Sequence, residues 1–404
     1  MNPPRPRPNS RNVRPAARSR SSSGARRRPP VAKRPKSRAR RLGRLVTLLF
    51  AVGAVAASIA TYAMASPRSL AARLPRLRVL SVAPANHATS VSGTAPIVIR
   101  FNQPIAKTSP MPTLLPALPG RWHRVGKTLQ FVPRGAYNPD SVVGIFLAGR
   151  ASGVRGANGA FLATSSSYSF HVEQGSLLRA EQLLARLGYL PLQFVPSTTW
   201  ALSPADYALA VFSPPPGRFA WRFTPEATLA TQWSPGIATT MFAGAVMSFE
   251  SHNQLPVDGQ LSWPLWQALL ADVRSLSANY ARGGYAYALA SKTLPETLNV
   301  FSDGRLVLHT LANTGISLSA TTDGTYPVFL RYQNQTMQGV DPWGHHYSDP
   351  VSWVAYFDGN QAVHYFDRAS YGFPQSLGCV EVPYQAAKAA WPYLQIGTLV
   401  TVAG

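Results

Sequence analysis

Ser376-Leu377-Gly378-Cys379-Val380 contains the only cysteine of this 404-residue chain, fifteen residues after His364. A lone thiol forms no internal disulfide, so it is either a small buried apolar side chain or a working thiolate. The surroundings favour the second reading. Gly378 allows close approach to the sulfur, and the imidazole of His364 stands on a predicted strand, Ala362-Val-His-Tyr-Phe, just before the loop that delivers Cys379. A strand that ends, turns and returns brings residues at this spacing within hydrogen-bond reach. In that arrangement Cys379 is a nucleophile and His364 its base, and the backbone amides of Gly378 and Cys379 are candidates to hold the oxyanion of a tetrahedral intermediate. The expected chemistry is acyl transfer.

Around this stretch the sequence has a β texture. Leu298-Asn-Val-Phe and Arg305-Leu-Val-Leu-His-Thr read as a hairpin about Ser302-Asp303-Gly304, Thr325 to Leu330 as a strand, and Val354-Ala-Tyr-Phe and Ala362 to Phe366 as strands about Asp358-Gly359-Asn360. Val382 to Leu394 is partly helical, and Gly397 to Val402 is a closing strand. The polar stretch Arg331 to Pro350, with Met337, Trp343 and Tyr347, reads as a loop that covers the acyl site. Residues 281–404 are thus expected to form a mostly β catalytic domain with one late helix.

Upstream, residues 175–275 change character. Leu177, Leu178, Leu183, Leu184 and Leu187 fall at helical spacing and Gly188 ends the run; Ala245 to Leu255 and Trp263 to Leu270 read as further helices. This pair of helical halves, with Leu187-Gly188-Tyr189-Leu190 and Asp258-Gly259, resembles the small peptidoglycan-binding domain, interrupted by a Pro- and Trp-rich insertion over 191–240. Its alternatives are glycan binding and a helical spacer. Residues 79–174 carry short predicted strands at 96–101, 128–133, 141–147 and 167–172, separated by turn residues, as in a β-sandwich. The segments Ser81-Val-Ala-Pro-Ala-Asn-His and Ile97-Val-Ile-Arg-Phe-Asn-Gln-Pro resemble bacterial Ig-like surface modules, which implies a rigid spacer.

The net charge of +23 is unevenly spread. Residues 1–44 hold 16 Arg and Lys and no acid, whereas the remaining 360 residues amount to only +7. An Arg/Pro/Ser/Ala tail buries too little apolar surface to offset its ordering entropy, so disorder is expected there. It lacks the interleaved aromatics of a nucleic-acid arm, and contact with anionic lipid suits it better. Val46 to Ala65 is free of charge over 20 residues, enough to cross about 30 Å of hydrocarbon as one helix. Arg40, Arg41 and Arg44 flank its N-terminal side, which places the tail in the cytoplasm and residues 66–404 outside, after a linker over 66–78. Ala63-Met64-Ala65 also resembles a cleavage site. The expectation is an uncleaved single-pass anchor (45–65) with an extracytoplasmic C-terminal part in the cell-wall space.

The C-terminal residues resemble the L,D-transpeptidases of the bacterial cell wall. The matching pieces are Leu298-Asn-Val-Phe with Asp303-Gly304, Gly324-Thr-Tyr-Pro, Met337 in its loop, His364 at a strand end, Ser376-x-Gly378-Cys379-Val380 and Gly397-Thr-Leu-Val-Thr-Val. The resemblance implies Cys379 as nucleophile, His364 as proton acceptor, no metal or organic cofactor, and peptidoglycan stem peptides as substrate. An acyl-enzyme on Cys379 is resolved by an amine of a second stem to give a 3→3 cross-link. Two departures stand out: Leu377 replaces the usual His before Gly-Cys, and Glu381 stands where Arg or Asn is common. Both alter substrate contacts and leave the nucleophile and base in place. Tyr365 is expected to orient the imidazole through its carbonyl. Ser376 either binds substrate or shapes the turn. His345-His346 make poor zinc ligands, since adjacent residues of an extended loop point apart. The residues leave open a carboxypeptidase, an enzyme attaching protein to the wall, and a non-catalytic peptidoglycan-binding relative.

Overall fold

Alternation in Ile97–Phe101 turns Ile97, Ile99 and Phe101 to one side, and all three are buried. The same two-residue period recurs through the N-terminal part of the computed structural model, which describes residues 76–197, 203–275 and 284–404. The expected basic tail (1–44), the expected anchor (45–65) and the first ten residues of the expected linker (66–75) lie outside the described residues. Among the described residues, no helix is long and apolar enough to cross a membrane.

Eight strands make two four-stranded sheets: β1 (Val79–Ala83), β2 (Ala88–Val91), β3 (Ile97–Phe101), β4 (Thr113–Leu115), β5 (Gly120–Val125), β6 (Thr128–Pro133), β7 (Val142–Leu147) and β8 (Ser166–Val172). Their orders are β1-β3-β6-β5 and β2-β8-β7-β4, antiparallel except for the parallel β2–β8 pair. Ile97, Ile99, Leu129 and Phe131 of the first sheet meet Val143, Ile145, Phe170 and Val172 of the second in one core. The four strands expected from sequence are present with ends shifted by at most one residue.

The helical region begins at α1 (Leu177–Arg186). Ser176 caps it by accepting from the Arg179 N–H, and Gly188, at φ +83°, ends it in a backbone conformation that glycine adopts without strain. Within its described residues the expected insertion is structured. It holds β9 (Leu192–Pro196) paired with β10 (Gly217–Trp221), and the short helices α2 (Pro204–Ala210) and α3 (Ala227–Ala230). Next come α4 (Thr240–His252) and α5 (Trp263–Ser275). Helix α4 starts five residues before the expected Ala245 because Thr239, not a later residue, caps it by accepting from the Phe242 N–H. Helix α5 extends beyond Leu270 because Val273 is still buried in the shared core around Trp266.

Two carboxyls are buried in this helical region. Glu181 Oε2 accepts only from the Gly236 N–H (2.8 Å), and its Oε1 has no partner. Glu250 Oε2 accepts from the Asp258 and Gly259 N–H groups. Burial pushes both up to about 7, against the backbone hydrogen bonds that pull them down.

The C-terminal part has two sheets. The first has the order β13-β12-β11-β19-β14, from β11 (Ala286–Ser291), β12 (Thr297–Ser302), β13 (Arg305–Leu311), β14 (Gly324–Pro327) and β19 (Leu399–Ala403). The second, β15-β16-β17-β18, comprises β15 (Leu330–Val340), β16 (His346–Asp358), β17 (Gln361–Tyr365) and β18 (Val380–Val382), with α6 (Tyr384–Ala390) after it. Val300, Val400 and Val402 of one sheet share a core with Ala355, Phe357, Val363 and Val380 of the other. The hairpin about Ser302-Asp303-Gly304 forms as expected, with positive φ at Asp303 (46°) and Gly304 (76°), the demand of a tight hairpin turn. Strand β11 gave no signal in the sequence; it is central, between β12 and β19. The Arg331–Pro350 stretch, expected as a loop, is a long hairpin of β15 and β16 paired from Leu330–Tyr356 to Val340–His346.

Helix α4 packs on this part through glycine. A Cβ on Gly244 would lie 2.5 Å from the Gly397 carbonyl oxygen, and Ser248 Oγ donates to the Ile396 carbonyl at 2.8 Å. Gly244→Ala is expected to destabilise the protein by about 1–3 kcal/mol, since a backbone carbonyl cannot yield cheaply, outweighing the roughly 1 kcal/mol helix preference of Ala; urea unfolding measures the balance.

A second expectation concerns pH. A carboxyl whose folded value is raised contributes stability below its unfolded value, and this is lost as pH rises through the folded one. Between about pH 4.5 and 7 the parent should lose, of order, 1–3 kcal/mol from each such carboxyl. Glu181→Gln should flatten that slope in urea denaturation at pH 5 and pH 8; an unchanged slope would show that Glu181 titrates alike in the folded and unfolded chains.

Candidate active site

The turn that carries Cys379 is pinned on both sides. Strand β18 pairs in parallel with β17, matching Val363 to Val380 and His364 to Glu381. On its other side Asn313 and Glu381 exchange both backbone hydrogen bonds at 2.9 Å, and Gly315 bridges Ser376. The 313–315 segment is itself anchored. Buried Glu296 accepts from the Thr314 N–H (2.6 Å) and the Thr314 hydroxyl (2.7 Å).

Within the turn, Ser376 is fully buried. Its Oγ donates to the Cys379 carbonyl (2.6 Å) and accepts from the Gly378 N–H (3.1 Å). Of the two readings of Ser376, the structure therefore favours shaping the turn. Gly378 sits at φ +109°, where a side chain is strained even though a Cβ would meet only ordinary contacts. Its amide is committed to Ser376, which removes it from the expected oxyanion donors.

The parallel register starts at Val363–Val380; continued one residue back it sets Cys379, which precedes β18, level with Ala362, on whose cluster it packs, and so on the side of the β17–β18 pair that His364 occupies. No hydrogen bond joins them. The Cys379 thiol donates to the Asn360 carbonyl at 3.7 Å, and its sulfur receives the Ala362 N–H. The side chain is half-buried and packs against a small buried cluster of Val351, Val354, Tyr356 and Ala362, on which Met337 and Phe366 also pack. Burial pushes the thiol up to about 12, only partly offset by the Ala362 amide, and the nearby Glu381 charge acts in the same upward direction.

His364 is 3% exposed. Its Nδ1 lies 3.0 Å from the Tyr365 carbonyl, as expected from sequence. A carbonyl only accepts, so Nδ1 carries the proton and Nε2 presents the lone pair. Burial lowers the imidazole below its ordinary value, against the raising effects of that carbonyl, Glu381 and Asp349; Arg368 adds to the lowering. Thiol and imidazole are thus both held neutral.

Met337 reaches the site from the hairpin, paired with Asp349 across β15 and β16. The Tyr347 ring lies over the bare Cα of Gly339, where a Cβ would fall 2.6 Å from its hydroxyl. Tyr356 donates its hydroxyl to Gln335 Oε1 at 3.1 Å. The Tyr347 and Tyr356 hydroxyls are both raised, chiefly by burial and also by their proximity to Cys379. Beside the cluster a cavity of about 560 Å³ is lined by Asn334, Gln335, Val351, Ser352, Tyr365 and Phe366 among others. Neither Cys379 nor His364 lines it, but Val351 and Phe366 belong both to its lining and to the apolar group that Cys379 packs on. At its edge, β16 is irregular between Ser352 and Ala355, and Trp353 there adopts φ +59° and packs on Trp391 and Tyr384. Among the described residues, no cluster of His, Cys, Asp and Glu could hold a metal ion. His345 instead pairs with Asp341 at the hairpin tip (3.1 Å).

Sequence reasoning missed one ion pair. Glu381, nearly buried, receives both Nε (2.7 Å) and Nη2 (2.8 Å) of Arg368, and Arg368 Nη2 also donates to the Gln375 carbonyl at 3.3 Å. The unusual residue after the cysteine is thus a brace between the 366–376 loop and β18. The signal available was Glu381 itself, an acid within an apolar strand, which calls for a cation.

Residues 286–402 match the family model of the L,D-transpeptidase catalytic domain, YkuD. The match supports a transpeptidase role for this part of the chain, and both His364 and Cys379 fall inside it. Solved structures similar to the chain include an L,D-transpeptidase from Mycobacterium smegmatis (12% identity, 82% of this chain and 100% of that chain, TM-score 0.28). They also include L,D-transpeptidase 3 from Mycobacterium tuberculosis with a faropenem-derived adduct (15% identity, 81% and 98%, TM-score 0.27). A third is the catalytic domain of an E. faecium L,D-transpeptidase (23% identity, 29% and 95%, TM-score 0.27). No curated protein matches the chain.

Arg368→Ala leaves the Glu381 carboxylate buried and unpaired, and is expected to cost about 3–5 kcal/mol in urea unfolding. Arg368→Lys keeps charge but not the fork geometry, and should fall between Ala and the parent. Equal stability of all three proteins would remove the brace from the argument.

Proposed function

We propose that this chain is a membrane-anchored L,D-transpeptidase that cross-links peptidoglycan stem peptides through a thioester on Cys379. The observation that carries the reading is the arrangement of His364. Its Nδ1–H is fixed on the Tyr365 carbonyl, its Nε2 is free to accept a proton, and Cys379 immediately precedes the adjacent parallel strand. The anchor is Val46 to Ala65, the two-sheet sandwich a spacer, and the helical region a wall-binding unit.

A general base is needed because of the thiol itself. With a value of about 12, the thiolate fraction at pH 7 is on the order of one part in 10⁵. Free thiolate is too scarce to be the working species. In the proposed reaction the thiol turns from the Asn360 carbonyl toward Nε2. The imidazole takes its proton as sulfur attacks the stem carbonyl, and the Cys379 amide is the remaining candidate of the two expected oxyanion donors. The imidazolium then protonates the leaving amine, and a thioester remains. An amine of a second stem attacks the thioester, losing a proton to His364, and sulfur leaves and is reprotonated. Met337 and the hairpin around it cover the sulfur and keep water from competing.

A non-catalytic, wall-binding reading has one observation in its favour: the thiol rests on Asn360 rather than on His364. Two reagents separate the readings. Iodoacetamide reports thiolate fraction, whereas a carbapenem, an acylating agent, reports the assisted attack. The proposal expects slow alkylation at pH 7 that climbs about tenfold per pH unit, alongside carbapenem acylation that reaches its plateau at a lower pH than an ordinary imidazole would allow, because burial favours the neutral ring. His364→Gln should cut acylation by about 10²–10⁴-fold and leave alkylation nearly unchanged. A folded parent that gives no mass increment with carbapenem, nor with a tetrapeptide-stem disaccharide, is the binding module.

A further inference from the structure

The helical region contains a second cavity of about 560 Å³, between α1, the β9–β10 hairpin and α2. Three arginines line it, Arg179, Arg186 and Arg222, and no acid does. Arg179 is 5% exposed. Its Nη1 donates to Gln182 Oε1 at 3.0 Å, and Gln182, also buried, is held in turn by donating Nε2 to the Pro215 carbonyl at 3.0 Å. Arg179 Nε is buried with no hydrogen-bond partner.

An arginine this deep ordinarily meets a carboxylate, since an uncompensated buried charge is costly. Here none is available. All 16 Asp and Glu of the chain fall among the described residues, and none forms an ion pair with Arg179 or Arg186. The only carboxylate against the third arginine is Asp303, 3.6 Å from Arg222 Nη2. Burial lowers Arg179 to about 10; Tyr207 works against this, but the Arg186 charge lowers it further, so two like charges share the cavity. Their arrangement is built: Arg186 follows Arg179 by two helical turns, on one face of α1. Phe194 and Tyr207 supply aromatic walls.

We propose that this cavity is a binding site for an oxyanion, a carboxylate or phosphate group carried on a ligand whose flat or apolar part lies against Phe194 and Tyr207. The anion meets the Arg179 guanidinium, which Gln182 holds in orientation, and Arg186 completes the charge. The site is separate from Cys379 and does not depend on the acyl-transfer reading.

The test uses the full chain, titrated with inorganic phosphate in one arm and benzoate in the other, against sodium chloride of equal ionic strength. Thermal midpoint and isothermal titration are the readouts. Saturable binding with a midpoint rise of about 2 °C or more over chloride supports the proposal; phosphate alone, benzoate alone or both identify the group that the ligand carries. Arg179→Gln and Arg186→Gln should each weaken the response at least tenfold, while Arg218→Gln, on the exposed start of β10, should leave it intact. If Arg179→Gln does not melt cooperatively, Arg186→Gln alone decides. No response beyond chloride in the parent, or equal responses in parent and Arg186→Gln, overturns the site. Carbapenem acylation of Cys379 should be unchanged throughout.

Discussion

The candidate site depends on the three-residue strand β18. Its parallel register with β17 decides that Cys379 and His364 face the same way, and the Asn313 exchange on its far edge holds it there. A strand so short has little stability of its own. It is fixed by what lies on each side: a buried carboxylate, Glu296, holding Thr314, and a bidentate ion pair from Arg368 to Glu381. A slip of one residue would turn the sulfur to the other side of the sheet. Several polar groups are buried to prevent it, and every one named here is satisfied.

The electrostatics of the site run against a preformed ion pair. Burial dominates at both partners, raising the thiol and lowering the imidazole. A charge pair formed by transferring the proton would have to be stabilised by what surrounds it, and Glu381 and Asp349 both favour a cation at His364. The replacement of an expected Arg or Asn by Glu381 therefore has two effects: it braces the strand and adds negative potential beside the base.

Some of this was legible in the sequence and some was not. Asp303-Gly304 announced its hairpin because only certain residues tolerate positive φ at both turn positions, and Leu183, Leu184 and Gly188 marked a capped amphipathic helix. The carbonyl partner of His364 was readable because it is the next residue along the chain. The β15–β16 hairpin was not legible. Arg331 to Gly339 is polar on both faces of its strand, so no alternation appears, and its regularity comes from cross-strand pairing with a 13-residue partner. The Arg368–Glu381 pair joins residues across a turn-rich segment with no periodicity to relate them. Strand β11 was hidden because Ala286-Tyr-Ala-Leu-Ala-Ser is small and bland, a composition suited to a central strand closely flanked on both edges.

The resting position of the sulfur has a further consequence. Peroxides and disulfides react with thiolates, so susceptibility follows the charged fraction and exposure. A half-buried sulfhydryl that donates to the Asn360 carbonyl and whose ionisation burial opposes is a poor target for such oxidants. The same environment that slows its attack on any carbonyl not presented beside His364 disfavours oxidation of the chain's single sulfhydryl.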